Sequence, residues 1–385
     1  MTEYACILFW GGLLVLGFTF LGYPLVLSVF ARISQRPPAI SSGSVPVPKV
    51  SIVLVVRNES DRIESRIANL LESNFPADSL RVLVVSDGST DATVEKALKY
   101  GDCRVEVEVI EQGSGKSTGL NRGLARAIDE IVVFADARQR FTPDTIPMLV
   151  KPLMDRSFGA CSGRLIIESA ASSTGSGVGD YWALESRLRS DEAKLDSCIG
   201  CTGAVYAIRR ECFSPIPEDT LLDDVLIPMQ VVLAGKRVWY EPDAMAFDPQ
   251  SLEPARESVR KERTLAGNFQ LLFRYPGWLL PWRNRLWWAL ICHKYLRLLG
   301  VPLMGLILVS NLLLLSKGVY QMLFAGQACF YLFAVLGLLG VSKNRLFSLP
   351  ASFVFLNWMT VRGLIHYLTA DPKSGWKTVP KQAHP

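Results

Sequence analysis

Hydrophobic positions in this chain fall into two regimes, long unbroken apolar stretches at the ends and short alternating units between them. From Ala5 to Phe30, about 26 residues, no side chain is charged. That is longer than the apolar core of a signal peptide, and no small-residue cleavage site follows. The pattern predicts a retained transmembrane helix over 1–31. Near the other end, Leu298 to Ser316 and Gly318 to Val341 are each long enough to cross hydrocarbon. Phe347 to Thr369 is a weaker third candidate, because it holds Arg362 and His366. The reading is therefore two or three spans over 298–370, then a tail over 371–385. Ahead of them, within 276–297, Trp278, Trp282, Trp287 and Trp288 interleave with Arg283, Arg285, Lys294 and Arg297. Rings at headgroup depth with cations toward phosphate predict an amphipathic helix lying in the membrane surface.

The middle reads as one large α/β domain over 49–275, reached through a linker at 32–48 that is rich in Pro and Ser and has no apolar period. Val50 to Val56 is a continuous β-branched apolar run, and Asp61 to Ser73 puts Ile63, Ile67, Leu70 and Leu71 on one helical face. Strand then helix repeats at Leu80 to Val85 and Asp91 to Lys99, then at Val105 to Ile110 and Thr118 to Ala127, with a further strand at Ile131 to Ala135. Such alternation predicts a mostly parallel sheet with helices on both faces.

Composition agrees with a mixed membrane and globular chain. Of 385 residues, 49% are hydrophobic, high for a soluble protein and low for an all-membrane one. Arg32, Arg36 and Lys49 follow the first span, and Lys343 and Arg345 lie between the last two. Positive charge gathers on the cytoplasmic side, which puts the N-terminus outside and the large domain in the cytoplasm, on the inner membrane. Lys373, Lys377 and Lys381 in the tail resist a four-span scheme. The net charge of +5 is small, with no basic run dense enough to follow nucleic acid; membrane phosphate is the expected anionic partner. The 8 cysteines are scattered, and Cys198 with Cys201 has no second pair or nearby histidines to make a zinc site.

In open α/β sheets ligands bind beyond the carboxyl ends of the strands. Glu59 follows the first strand, Asp87 ends the second and Asp136 ends the fourth, so three acids converge on one rim. Singly, each reads as a helix cap or turn acid. Gln112-Gly113-Ser114-Gly115-Lys116-Ser117-Thr118 imitates a phosphate-cradling P-loop, but the glycine such a loop needs five positions before Gly115 is Ile110 here. A nucleotide-sugar site accounts for the rim better. The departing diphosphate needs positive charge, usually a divalent cation held by carboxylates, and the acceptor hydroxyl needs a base. Asp136 offers the metal contact, Asp87 and Glu59 can accept hydrogen bonds from ribose or base, and Lys116 can face phosphate. Asp223 and Asp224 precede the apolar stretch Val225 to Leu233, so one can face a cleft while the other caps a helix.

At these residues the sequence resembles the membrane-bound, processive members of glycosyltransferase family 2, which include cellulose, hyaluronan, chitin and poly-N-acetylglucosamine synthases. Val50-Ser51-Ile52-Val53 with Arg57-Asn58-Glu59 looks like the family's opening strand and nucleotide-contacting acid. Val84 through Asp91 looks like its uridine-binding segment, and Gly115-Lys116 through Leu124 like its lysine and asparagine stretch. Leu222-Asp223-Asp224-Val225 resembles the acidic pair that carries the base; by position the base is Asp224 and Asp223 supports it. Cys201-Thr202-Gly203-Ala204 resembles the small-residue loop where the acceptor approaches, so Gly203 is a substrate contact.

Two motifs depart from the pattern. The family's paired metal acids are here Asp136-Ala137-Arg138. Mg2+ or Mn2+ is then expected on Asp136, diphosphate oxygens and water, more weakly than in relatives, or Arg138 itself faces the diphosphate. Arg260-Lys261-Glu262-Arg263-Thr264 stands where the family grips acceptor and diphosphate. Arg260 and Arg263 match, but the tryptophan is missing, which weakens the case for long processive synthesis.

The resemblance implies a GT-A domain plus transmembrane helices, and inverting transfer from a nucleotide-diphosphate sugar to a polysaccharide or lipid-linked acceptor. Single-sugar transfer to a polyprenyl-type lipid carrier is the alternative enzyme. A catalytically impaired nucleotide-binding assembly protein is the alternative of another class. Expected partners are the donor, a glycan or lipid-linked acceptor, membrane lipids and export or assembly proteins, with no nucleic acid.

Overall fold

A computed structural model describes residues 2–39, 46–168, 175–249, 254–342 and 344–369; the expectations placed on Lys343 and on the tail lie outside them. Two compact units divide the chain. One is drawn from Met1–Phe30, Ala171–Glu185 and Leu252–Thr369, the other from Ala31–Ala170 and Ser186–Ser251.

The second unit is built on one sheet. β1 (Val50–Val56), α3 (Ile63–Leu71), β2 (Leu80–Asp87), α4 (Thr93–Lys99), β3 (Val105–Ile110), α5 (Lys116–Arg126) and β4 (Ile131–Ala135) alternate as the apolar runs predict. β5 (Arg140–Phe141), α6 (Thr145–Val150), β6 (Phe158–Ile167), α7 (Gly175–Leu195, whose part up to Glu185 belongs to the first unit), β7 (Val205–Arg209), α8 (Asp223–Leu233) and β8 (Arg237–Asp248) follow. The eight strands run in the order β3-β2-β1-β4-β7-β6-β8-β5. β3, β2, β1 and β4 are parallel. β7 then pairs antiparallel with both β4 and β6, β8 is parallel to β6, and β5 is antiparallel to β8. The sheet is thus mixed: four of its seven strand pairings are parallel, as expected, while β7 and β5 join it by antiparallel ladders.

Burial explains the apolar runs. All seven residues of β1 are buried between β2 and β4, and each of the six aliphatic ones contributes roughly 1.5–3 kcal/mol. α5 sits unusually low on this layer. A Cβ at Gly119 would fall 2.5 Å from Val55 Cγ1, and one at Gly123 would fall 2.6 Å from Val53 Cγ1. Two glycines four residues apart therefore fix the height of α5, and with it the position of Lys116 at its start.

The other unit is helical. α1 (Thr2–Gly17) and α2 (Tyr23–Ile33) are joined by a π-helical turn at Phe18–Gly22. α9 (Pro254–Arg274), α10 (Trp287–Leu290), α11 (Gly300–Leu313), α12 (Gly318–Leu338) and α13 (Arg345–Thr369) complete it. Among the described residues, three helical runs are long and apolar enough to cross a membrane: Thr2–Ile33, Trp287–Leu313 and Gly318–Leu338. Phe9 meets the Tyr320 ring edge-on, and Trp10 donates to the Tyr320 hydroxyl at 3.2 Å. α13 is not among the three runs, and its charges are used: Arg362 lies 2.9 Å and His366 3.5 Å from Glu262 on α9.

The segment 276–297 differs from expectation. It is a 3-10 turn at Pro276–Leu279, and the helix begins only at Trp287, passing through a π turn (Ile291–Tyr295) and a 3-10 turn (Leu296–Leu299) into α11. Two of its four cations, Arg283 and Arg285, are exposed, and the other two turn inward. Buried Glu185 gathers His293 Nε2 at 3.1 Å, Arg297 Nη1 at 3.3 Å and Lys294 Nζ at 3.7 Å. A paired charge is tolerated in an apolar run where a lone one is not.

Candidate active site at the strand ends

Three loops at the carboxyl ends of β1, β2 and β3 are tied to one another. After β1, Asn58 adopts a left-handed φ of 55°, a conformation asparagine tolerates better than most residues. Its amide donates to Ser89 Oγ at 3.2 Å, and its Oδ1 accepts the Thr90 amide at 2.8 Å. The Glu59 amide donates to Thr93 Oγ1 at 2.8 Å, while the Glu59 carboxylate pairs with Arg62 at 2.9 Å. After β2, Gly88 turns with φ of 64°, and a Cβ there would fall 2.4 Å from the Gly113 nitrogen. Only glycine fits that approach.

Asp87 holds the third loop. It is fully buried, and its two oxygens accept the amides of Ser114 at 2.7 Å and Gly115 at 2.9 Å. Charge-assisted bonds of this kind are about twice as strong as neutral ones. Asp87 thereby shapes the Gln112–Gly115 loop rather than standing open at the rim.

Lys116 opens α5 just after this loop. A lysine in a first helical turn opposes the helix dipole, and here the opposition is offset by acids. Its Nζ lies 3.2 Å from Asp136 Oδ1 and 3.4 Å from Asp223 Oδ2. The Asp223 oxygen is close enough for an ion pair but not aligned for a hydrogen bond, and it has no other hydrogen-bond partner. α5 also sets the approach to Asp223. Ser117 Oγ donates to the Thr220 carbonyl at 2.9 Å, and Asn121 exchanges two hydrogen bonds with the Ile216 backbone, at 2.8 and 2.9 Å. α8 begins at Asp223, so both acids sit in its first turn, where the dipole favours them. Asp223 is buried and Asp224 partly so. The Asp224 carboxylate faces Gly203, where a Cβ would fall 3.1 Å from its Oδ2, and the Cys201 amide donates to its backbone carbonyl at 2.7 Å.

Asp136 is the more open acid of the bridge, with 38% of its side chain exposed. Arg66 Nε donates to its backbone carbonyl at 2.9 Å, and the same guanidinium lies over the Phe141 ring at 4.3 Å. Burial pushes Arg66 down to about 9, against the pull of Asp136. Arg138 reaches the other way: its Nη2 lies 2.7 Å from the buried Asp248, which also accepts Gln139 Nε2 at 3.0 Å. Arg138→Ala is expected to cost about 1.5–3 kcal/mol, since the buried Asp248 carboxylate loses its charged hydrogen-bond partner. Thermal unfolding checks this, and Asp248→Asn on top should recover most of the loss; a midpoint unmoved by Arg138→Ala would discount the pair.

The structure thus joins Lys116, Asp136 and Asp223, with Asp224 and Gly203 adjoining and Asp87 one loop away. Arg260 and Arg263 lie on α9, in the other unit. Three residues escaped the sequence reading. Arg66 occupies the apolar face of α3 beside Ile63, Ile67 and Leu70, a visible breach of the pattern. Asp248 carried no signal. Neither did Tyr206, inside an apolar strand, stacked on Phe134 at 4.2 Å. Its hydroxyl is buried without a hydrogen-bond partner, and burial, with the charges of Asp223, Asp224 and Asp136 adding to it, keeps the phenol neutral.

Among the described residues no three Asp, Glu, His or Cys side chains gather at metal-binding spacing. Asp136 supplies one hard oxygen, and the residue two positions on is Arg138, a cation. Asp136 would give a Mg2+ or Mn2+ ion one protein oxygen, which suits an ion that keeps most of its other positions for non-protein oxygens. These residues do not fit a cation held by the protein alone.

Comparison with known proteins agrees with this geometry. The sequence profile described as glycosyl transferase family 2 matches residues 51–215. An N-acetylglucosaminyltransferase of Mesorhizobium japonicum is 27% identical, over 63% of this chain and 60% of that protein. A poly-beta-1,6-N-acetyl-D-glucosamine synthase of Staphylococcus aureus is 23% identical over 51% and 49%. A beta-monoglucosyldiacylglycerol synthase of Synechocystis is 23% identical over 72% and 61%. The chain therefore spans about half to three fifths of the length of these curated relatives. Among solved structures, a mannosyltransferase from Pyrobaculum calidifontis in complex with GDP-Man and Mn2+ matches 94% of this chain and 99% of its own, at 21% identity and a TM-score of 0.70. The sheet and the helices packed on it are those of a GT-A fold, and residues 51–215 are the part of the chain that matches glycosyl transferase family 2.

Proposed function

We propose that the chain is a membrane-bound, inverting glycosyltransferase that moves a sugar from a nucleoside-diphosphate donor to a glycan or lipid-linked acceptor at the cytoplasmic face. The observation that carries this reading is the Lys116 ammonium between Asp136 and Asp223, with Asp224 next in the chain. Asp87 holds the Gln112–Gly115 loop so that it faces the donor, and Glu59 stands at the neighbouring loop for the nucleoside. Lys116 and Arg138 stand nearest the diphosphate. Asp136 is the protein ligand for a divalent cation, which when bound offsets charge on the departing diphosphate. Asp224 takes the proton from the acceptor hydroxyl, and the acceptor reaches it past Gly203, where the missing side chain leaves room. Attack opposite the leaving group inverts the anomeric centre. Arg260 and Arg263 are proposed to grip acceptor or diphosphate. The solved neighbour with GDP-Man and Mn2+ supports donor and cation, and the diacylglycerol-directed relative supports a lipid-linked acceptor. Arg32, Arg36, Lys49 and Arg345 support a cytoplasmic domain under the inner membrane.

The deciding experiment incubates purified membranes with UDP-, GDP- and dTDP-sugars. One donor should be consumed, with activity lost in EDTA and restored by Mn2+ or Mg2+. No consumption of any donor would leave only a nucleotide-binding assembly role, and full activity in EDTA would remove the cation. Product size then separates polymer synthesis from single-sugar transfer.

A further inference from the structure

The Asp136 carboxylate, expected to receive a divalent cation, already faces the Lys116 ammonium. Lys116 Nζ stands 3.2 Å from it, and this is no loosely tethered surface lysine. α5 is seated on β1 through Gly119 and Gly123, and Ser117 and Asn121 bind the segment leading to Asp223. Helix height and loop position together set the ammonium between two acids on two different elements. Only 21% of the lysine side chain is exposed. Arg66 adds a second positive charge close to Asp136. Arg138, two residues on, contributes a third cation in the same stretch of chain and spends its contact on Asp248.

A divalent ion on Asp136 would therefore share one carboxylate with an ammonium at contact distance, and like charges at that spacing repel strongly away from bulk water. A diphosphate changes the balance. It brings negative oxygens that can draw Lys116 off Asp136 and complete the coordination of the incoming ion. We propose, resting on the assignment of Asp136 to the donor's cation, that Lys116 is the resident counter-ion of the empty site and makes cation binding conditional on the nucleotide. Mn2+ or Mg2+ enters with the nucleoside diphosphate, and Lys116 hands Asp136 over to it. One lysine then has two stations, the acid pair before the donor arrives and the diphosphate afterwards. No covalent step is involved; the exchange is of ionic partners.

Binding of Mn2+, followed by loss of the free-ion EPR signal on titration into purified full-length protein, tests this independently of turnover. Wild type should bind Mn2+ weakly without nucleotide and at least tenfold more tightly with the diphosphate of its donor, chosen by testing UDP, GDP and dTDP. Lys116→Met and Lys116→Gln should bind Mn2+ without nucleotide at least tenfold more tightly than wild type. Lys116→Arg, which keeps the charge, should stay close to wild type. Mn2+ binding by either neutral variant in the presence of the diphosphate shows that the site is folded. Equal nucleotide-free affinity in wild type and both neutral variants would overturn the inference while leaving the cation in place. Mn2+ binding by none of the proteins, with any of the three diphosphates, would overturn both this inference and the cation assignment beneath it.

Discussion

Asp224→Asn is expected to lower turnover by about 100- to 10,000-fold, the range over which a positioned base contributes, while donor affinity changes little. The substitution is nearly isosteric. The side chain keeps its place against Gly203 and in the first turn of α8, and the backbone bond from Cys201 to residue 224 is untouched. What is lost is the ability to accept a proton. Donor affinity should survive because Lys116, Asp136 and the loop held by Asp87 are all left in place. Initial rates together with nucleotide titration separate the two effects. Unchanged turnover would end the assignment of Asp224 as base, and a large loss confined to Asp223→Asn would move the base one residue back.

Asp87→Asn should act on the fold and the donor together. An amide offers one oxygen where the carboxylate offered two, and its NH2 would point at an amide that also donates. With the side chain fully buried, the unmatched donor costs about 1–3 kcal/mol. The loop from Gln112 to Gly115 loses its template, so donor affinity should fall at least tenfold alongside the drop in thermal midpoint. If midpoint and affinity both match wild type, the loop holds its shape without Asp87.

The legible half of the sheet and the illegible half differ for a physical reason. β1, β2 and β4 lie where both faces are covered, so their sequences are continuous apolar runs that stand out against polar helices and loops. β6 begins Phe158-Gly159-Ala160-Cys161-Ser162-Gly163 because neighbours press on it: a Cβ at Gly163 would fall 2.4 Å from the Ala244 carbonyl. Small residues chosen for close approach leave no apolar period. β8 runs through Glu241-Pro242-Asp243 with a register shift against β6, so it too lacks a strand pattern, and the antiparallel return escaped notice. In the site, acids at strand ends were visible as positions, but what they hold was not. Asp87 binds backbone amides, Asp136 faces Lys116 and Arg138 faces Asp248. The pairing of Lys294 and Arg297 was invisible because their partner, Glu185, lies more than a hundred residues away in sequence.

The mutual bonding of the three strand-end loops bears on how such a site could change. Asn58 reads the turn after β2, Asp87 reads the turn after β3, and Gly88 exists in its shape because Gly113 passes against it. No one of these loops can take up a new length or outline without breaking a contact that another depends on. A different nucleotide preference would have to arrive through several compensating replacements made in concert. Single exchanges should damage recognition far more readily than redirect it.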